Sequence, residues 1–293
     1  MKHLFAFIAF IAATVAFGNS AVLASNADDK LKPVDIIAKH LDSIGKKERR
    51  EAVKNQILIC TVQFNQLGST STVVGNAVLA SEGEKNITGM NLNSNDYPLE
   101  RYSFDGEKSN VAFTKPGVYS ILGDFIFSNR GLIKEGLFGG AMFSSWALHD
   151  IDTRQPRVSL AGTKKIGSID TYVLDYLPKN ALDLDIKMYF DQKTFRHVRT
   201  EYSKVIAARQ TASINESAGQ SPDRIQVVEE FSGFQQMDGL TLPGEYVLTY
   251  MYYNNSPKQA SRQGNRELTW KFKVSNFSFN QALDANSFDI QTD

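Results

Sequence analysis

Residues 183–190 read Asp183-Leu184-Asp185-Ile186-Lys187-Met188-Tyr189-Phe190. Side chains alternate across a strand, so Leu184, Ile186, Met188 and Phe190 share one face while Asp183, Asp185 and Lys187 share the other. One dry and one wetter side is the pattern of an antiparallel sheet packed on a core through a single face. Asp191-Gln192-Lys193-Thr194 supplies a turn into Phe195–Tyr202, which makes the pair a hairpin. Working outward, strand-like runs occupy 56–65, 71–79, 99–105, 109–114, 157–163, 170–177, 224–232, 244–253 and 267–276. Many short strands with few helices predict a mainly β protein with helices, built on one large antiparallel sheet.

Two stretches read as helical. From Pro33 to Gly45, Val34, Ile37, Leu41 and Ile44 recur at helical spacing between an entry proline and an exit glycine, which predicts one buried stripe. His40 lies off that stripe and is expected in solvent, and a charged, helical stretch follows over 46–54. The segment 118–148 is the most apolar part of the chain after the N-terminus. Its longest uncharged run, Gly136–Leu148, has 13 residues, fewer than the about 20 that cross a bilayer. It reads either as short helices capping the dry face or as a lid whose inner face is shared between core and ligand. Gly131, Gly136, Gly139 and Gly140 permit the hinge conformations that a lid needs. The lid candidates are Phe125, Leu137, Phe138, Met142, Phe143 and Trp146. Residues 207–222 are poor in large apolar side chains and read as a mobile loop between strands. Without a repeat or a composition break, residues 25–293 are expected to form a single domain.

At the start, Lys2 and His3 precede an apolar run, Leu4–Phe17, of 14 residues. That length suits the core of a signal peptide, about 7 to 15 residues, better than a membrane span. Val22-Leu23-Ala24 is compact enough for signal peptidase, so cleavage after Ala24 and export are expected. The only cysteine, Cys60, is too far downstream to carry a lipid at that cut, and it sits in an apolar strand as a buried thiol without a disulfide partner. Loss of Lys2 leaves 31 basic against 32 acidic side chains, a balance that gives nucleic acid no electrostatic hold.

Chemistry is sparse. None of the histidines lies in a His-Glu-x-x-His helix, a Cys-His cluster or a Gly-x-Ser-x-Gly elbow. His149-Asp150-Ile151-Asp152 could present a metal-ligand pair but reads more simply as a polar helix exit. His197, between Arg196 and Arg199, reads as a surface residue, and Asp183 with Asp185 as carboxylates on a solvated strand face. Gly136–Gly140 lacks the Lys-Ser or Lys-Thr of a phosphate-cradling loop. No catalytic residue, metal or cofactor is expected. The aromatics Tyr246, Tyr250, Tyr252, Tyr253, Trp270, Phe272, Phe277 and Phe279, added to the 118–148 segment, make a generous apolar supply for one sheet.

Four motifs follow one another in a familiar order: Phe104-Asp105-Gly106-Glu107-Lys108, Met188-Tyr189-Phe190-Asp191-Gln192-Lys193-Thr194-Phe195, Met237-Asp238-Gly239-Leu240-Thr241-Leu242-Pro243 and Leu283-Asp284-Ala285-Asn286-Ser287-Phe288. In this the chain resembles the outer-membrane lipoprotein-sorting proteins, the LolA and LolB carriers and the related sensor RseB. The family's Arg-Pro pair has no counterpart; Arg101, preceded by Pro98-Leu99-Glu100, is the nearest arginine. The resemblance implies a curved, incomplete β-barrel closed by the N-terminal helix and an apolar helical lid. It implies a periplasmic, non-enzymatic carrier of lipid or lipoprotein acyl chains, with envelope membrane proteins and the membrane surface as further contacts. The alternative is an envelope sensor or scaffold that binds a protein partner through the same cavity.

Overall fold

A computed structural model of the chain describes residues 31–180, 182–207, 222–254, 265–284 and 286–290. The expected signal peptide, 1–24, and most of the 207–222 loop lie outside the described residues. Two helices, α1 (Pro33–Ile44) and α2 (Lys47–Glu51), lead into β1 (Asn55–Gln66), β2 (Val73–Glu82), β3 (Lys85–Leu92), β4 (Leu99–Phe104) and β5 (Ser109–Val111). A run of short helical pieces follows: α3 (Ile121–Ser128), α4 (Gly131–Lys134), a 3₁₀ turn at Gly140–Met142 and α5 (Ile151–Arg154). The chain then forms β6 (Arg157–Ile166), β7 (Ile169–Leu177), β8 (Asp185–Asp191), β9 (His197–Ile206), β10 (Asp223–Ser232), β11 (Gln235–Met237), β12 (Leu240–Leu242), β13 (Glu245–Tyr253) and β14 (Arg266–Phe279).

Among the described residues, a sheet of 12 strands runs β5-β4-β3-β2-β1-β14-β13-β10-β9-β8-β7-β6, and β11 pairs with β12 in a small sheet of its own. The strand pairs are antiparallel, and β5 and β6 are edges that do not meet, so the barrel stays open. The 183–190 stretch behaves as its alternation demands: Leu184, Ile186, Met188 and Phe190 are buried, and Asp183 and Asp185 are exposed. Asp191 Oδ1 accepts the Lys193 amide at 2.7 Å and the Thr194 amide at 3.3 Å, which closes the hairpin turn. Strand β3 escaped the sequence reading because its inward positions carry Asn86 and Thr88, so apolar alternation is weak there.

The sheet's inner face, with Leu58, Cys60, Val62, Leu79, Met90, Tyr102, Met188, Phe190, Val227, Tyr246 and Leu248, is covered by α1 and by the segment from α3 to Leu148. The stripe of α1 differs from expectation. Its buried residues are Ile36, Ile37, His40 and Ile44, whereas Val34 is 64% exposed. At 3.6 residues per turn, 36-37-40-44 and 34-37-41-44 are nearly equivalent faces. The aromatic neighbours of His40, Trp146 and Phe190, each with ring centroids at 5.1 Å, go with the first.

His197 also departs from expectation, for a backbone reason. The β8–β9 register slips between Tyr189 and Phe190, so that Tyr189 faces Arg199 and Phe190 faces His197. This bulge turns His197 inward, where it is 2% exposed. A smaller cluster lies outside this core, where Val173, Tyr189 and Val198 pack with Ile166 and Phe234.

Candidate functional site

The covered face of the sheet is apolar with a few polar side chains set into it, and several of these reach into the cover. Asn86 Nδ2 donates to the Ile133 carbonyl at 3.1 Å, and Gln56 Nε2 donates to the Met142 carbonyl at 2.7 Å. Ser81 Oγ accepts the Ser144 amide at 2.8 Å. These contacts satisfy backbone groups that short, interrupted helices leave without intrahelical partners.

Two buried glutamates complete the set. Glu100, on β4, accepts hydroxyl hydrogen bonds from Tyr97, at 2.6 Å, and from Ser120. Ser120 in turn caps α3 by accepting the Gly123 amide at 2.7 Å, so this carboxyl holds the start of the cover. Glu229, on β10, accepts the Gly139 amide at 2.6 Å and the Tyr246 hydroxyl at 2.7 Å, both on Oε1. Its Oε2 lies 2.7 Å from the Tyr202 hydroxyl, which also lies 2.8 Å from the Leu137 carbonyl.

A tyrosine hydroxyl has one proton and cannot donate to both neighbours. A protonated Glu229 resolves this: its own proton goes to Tyr202, and the Tyr202 proton goes to Leu137. Burial pushes both carboxyls up, Glu100 to about 7 and Glu229 to about 7, in the direction this network requires.

The six lid candidates are all buried: Phe125, Leu137, Phe138, Met142, Phe143 and Trp146 are at most 5% exposed. They do not form one patch. Phe125 meets Tyr250 edge-on at 6.1 Å, and Phe138 stacks on Tyr202 at 5.3 Å. Trp146 stacks on His197 at 4.9 Å and meets His149 at 5.8 Å as well as His40. Burial lowers the pKa of all three histidines, that of His40 well below its usual value, His149 to about 4 and His197 to about 3. Neutral imidazoles therefore pack around Trp146 as flat, weakly polar rings. Among the described residues no three His, Cys, Asp or Glu side chains converge as metal ligands. Asp183 is instead paired with Lys204 at 3.0 Å on the outer face.

At the end of the cover, a cavity of about 530 Å³ opens between α1, α2 and residues 148–152, lined by Leu41, Ile44, Leu148 and Leu240 together with Arg50 and Asp150. Gln56 and Ser144, two of the residues that join sheet to cover, also line it. The polar anchors were missed in the sequence, although a signal was present. In Val227-Val228-Glu229-Glu230-Phe231, Glu229 falls in phase with Val227 and Phe231, and a carboxyl at an inward position of a buried strand marks a special group.

An open antiparallel sheet with one apolar face under a pinned helical cover is thus the class of protein that fold and site define. No family model matches the chain, and no curated protein matches it in sequence. Similar solved structures include a LolA superfamily protein from Nitrosomonas europaea, 10% identical, with a TM-score of 0.45 over 89% of this chain and 98% of that one. A domain described as an outer membrane lipoprotein-sorting protein, from Vibrio parahaemolyticus, is 11% identical with a TM-score of 0.44 over 86% and 95%. A DUF1329 family protein from Desulfovibrio piger is 11% identical with a TM-score of 0.40 over 87% and 95%. The first two carry the name of the group that the motif order resembles.

Proposed function

We propose that this chain is an exported, non-enzymatic carrier of lipid or lipoprotein acyl chains, taken up between the sheet's inner face and the 118–148 segment. The observation that carries the reading is the way the cover is held. Phe125, Leu137, Phe138, Met142, Phe143 and Trp146 fill the space above the sheet, while directional bonds to the cover come from separate polar side chains such as Gln56, Ser81, Asn86 and Glu229. Apolar contact is non-directional, so a hydrocarbon chain can take the place of these side chains. The polar anchors give a displaced cover one position to return to. Helical pieces of 8, 4, 3 and 4 residues have little stability of their own, which favours a layer that moves apart from the sheet. Export follows from the charged start and apolar run of residues 1–24, and protein from a periplasmic extract is expected to begin at Ser25 by intact mass.

The test pairs a denaturant midpoint with the affinity for a fluorescent fatty-acyl probe, measured on the parent, Phe138→Ala and Phe143→Ala. Truncating a packed phenylalanine costs about 3–5 kcal/mol. A side chain shared with cargo loses less stability than this and changes probe affinity. Full stability losses with unchanged affinity, or a parent that binds no probe, would overturn the proposal.

A further inference from the structure

We infer that the outer face of β1–β4, on the side of the sheet away from the cover, carries a separate site for a single alkyl chain with a carboxylate head, received by Arg101. The register places its parts side by side. Ile57 lies opposite Ala80 and Ala80 opposite Ile87, and in the next row Val78 lies opposite Gly89 and Gly89 opposite Arg101. All of these face outward, because Leu58, Leu79, Thr88 and Tyr102, their neighbours along each strand, are buried beneath the cover. A strand face open to water normally carries polar side chains, and an apolar floor here is a departure from that pattern.

The floor is not a flat surface. The C-terminal segment folds back over one end of it, anchored by Phe288 and Ile290 at 2% and 3% exposure, and Leu283 and Ser287 form a second wall. The resulting groove encloses about 820 Å³, within the roughly 300–1,000 Å³ of small-molecule sites. The Arg101 methylene stem lies over Gly89 on β3, where even a Cβ would meet Arg101 Cγ at 3.5 Å, an ordinary van der Waals contact.

Charge selects the occupant. Among the described residues Arg101 is the only charged group lining the groove, no carboxylate lines it, and its guanidinium has no hydrogen-bond or ion-pair partner there. An unpaired guanidinium beside an apolar floor complements a chain with an anionic head, and its planar fork matches a carboxylate through two parallel hydrogen bonds. A neutral chain would use the floor and leave the arginine idle. The site is independent of the cover, since the neighbouring Glu100 points to the opposite side, toward Ser120.

The experiment titrates the ¹⁵N-labelled chain with doxyl-labelled stearate below its micelle concentration, and in parallel with the methyl ester of the same probe. Stearate is expected to broaden the amides of Ile87, Gly89, Leu283 and Ser287, and Arg101→Glu to weaken that binding at least tenfold. The ester should bind these amides weakly and with no response to the substitution. Arg101 is exposed and unpaired, so the variant should fold, and Arg101→Gln provides the same comparison without charge reversal. Amides of Gly139 and Met142 report the cover separately, so broadening there alone would overturn this site and leave the carrier reading standing. Groove broadening that is equal for acid and ester, or unchanged in both Arg101 variants, would also overturn it.

Discussion

The Glu229 carboxyl accepts the Gly139 amide proton across 2.6 Å, tying β10 to the middle of the segment that covers the sheet. Burial raises this group from 4.5 to about 7 in the folded chain. Between those values the folded state holds more protons than the unfolded state, so stability falls as pH rises through the window. Glu229→Gln, which cannot ionise, is expected to flatten the fall in urea midpoint above about pH 6.5, where the histidines are neutral in both states, without abolishing it, because Glu100 titrates in the same sense. A slope identical to the parent's would show that Glu229 is not the proton carrier.

The histidines around Trp146 act in the opposite sense. His149 and His197 are depressed from 6.5 to about 4 and about 3, and His40 is lowered as well. As pH falls below 6.5, the unfolded chain takes up protons that the folded chain refuses, and stability is lost until the folded values are reached. With three histidines opposing two glutamates, maximal stability is expected near the ordinary histidine value of about 6.5. His197→Gln should soften the acid limb, as read from urea midpoints at pH 4.5 and 6.5. An acid limb as steep as the parent's would contradict the assignment.

Gly136 adopts φ +60°, and a Cβ there would stand 2.2 Å from the Ser145 carbonyl oxygen, which belongs to the backbone and cannot swing aside. Gly83 has nearly the same φ, +57°, with nothing within 4 Å. Both alanine variants carry the left-handed penalty of about 1–2 kcal/mol, and only Gly136→Ala adds a collision. Gly136→Ala should therefore lower the denaturant midpoint clearly more than Gly83→Ala, and equal losses would mean that the turn around Gly136 relaxes freely.

Cys60 is 1% exposed on the inner face of β1, and burial pushes its thiol up to about 12. At pH 8 the thiolate that reacts with an aromatic disulfide reagent is nearly absent in the folded chain. Labelling is expected to be complete within minutes in denaturant and to proceed in buffer only at the rate of opening. Fast labelling of the native protein would place Cys60 at an accessible surface.

Strands β1, β8, β13 and β14 were legible in the sequence because each of them alternates in step with the core, as Leu184-Asp185-Ile186-Lys187-Met188 does. Local sterics and the apolar period determine a strand, and both are written in neighbouring residues. The burial of the 118–148 segment follows from its composition in the same way. His40 and His197 were not legible. One sits on a helix with two nearly equivalent faces, and the other sits beside a bulge that shifts its register, so only the partners across space decided where they point. The same holds for Glu100 and Glu229. A carboxylate in a strand reads as solvated until the structure brings Ser120, Gly139, Tyr202 and Tyr246 against it, because a buried charge is tolerable only where donors from distant parts of the chain, and here a retained proton, meet it.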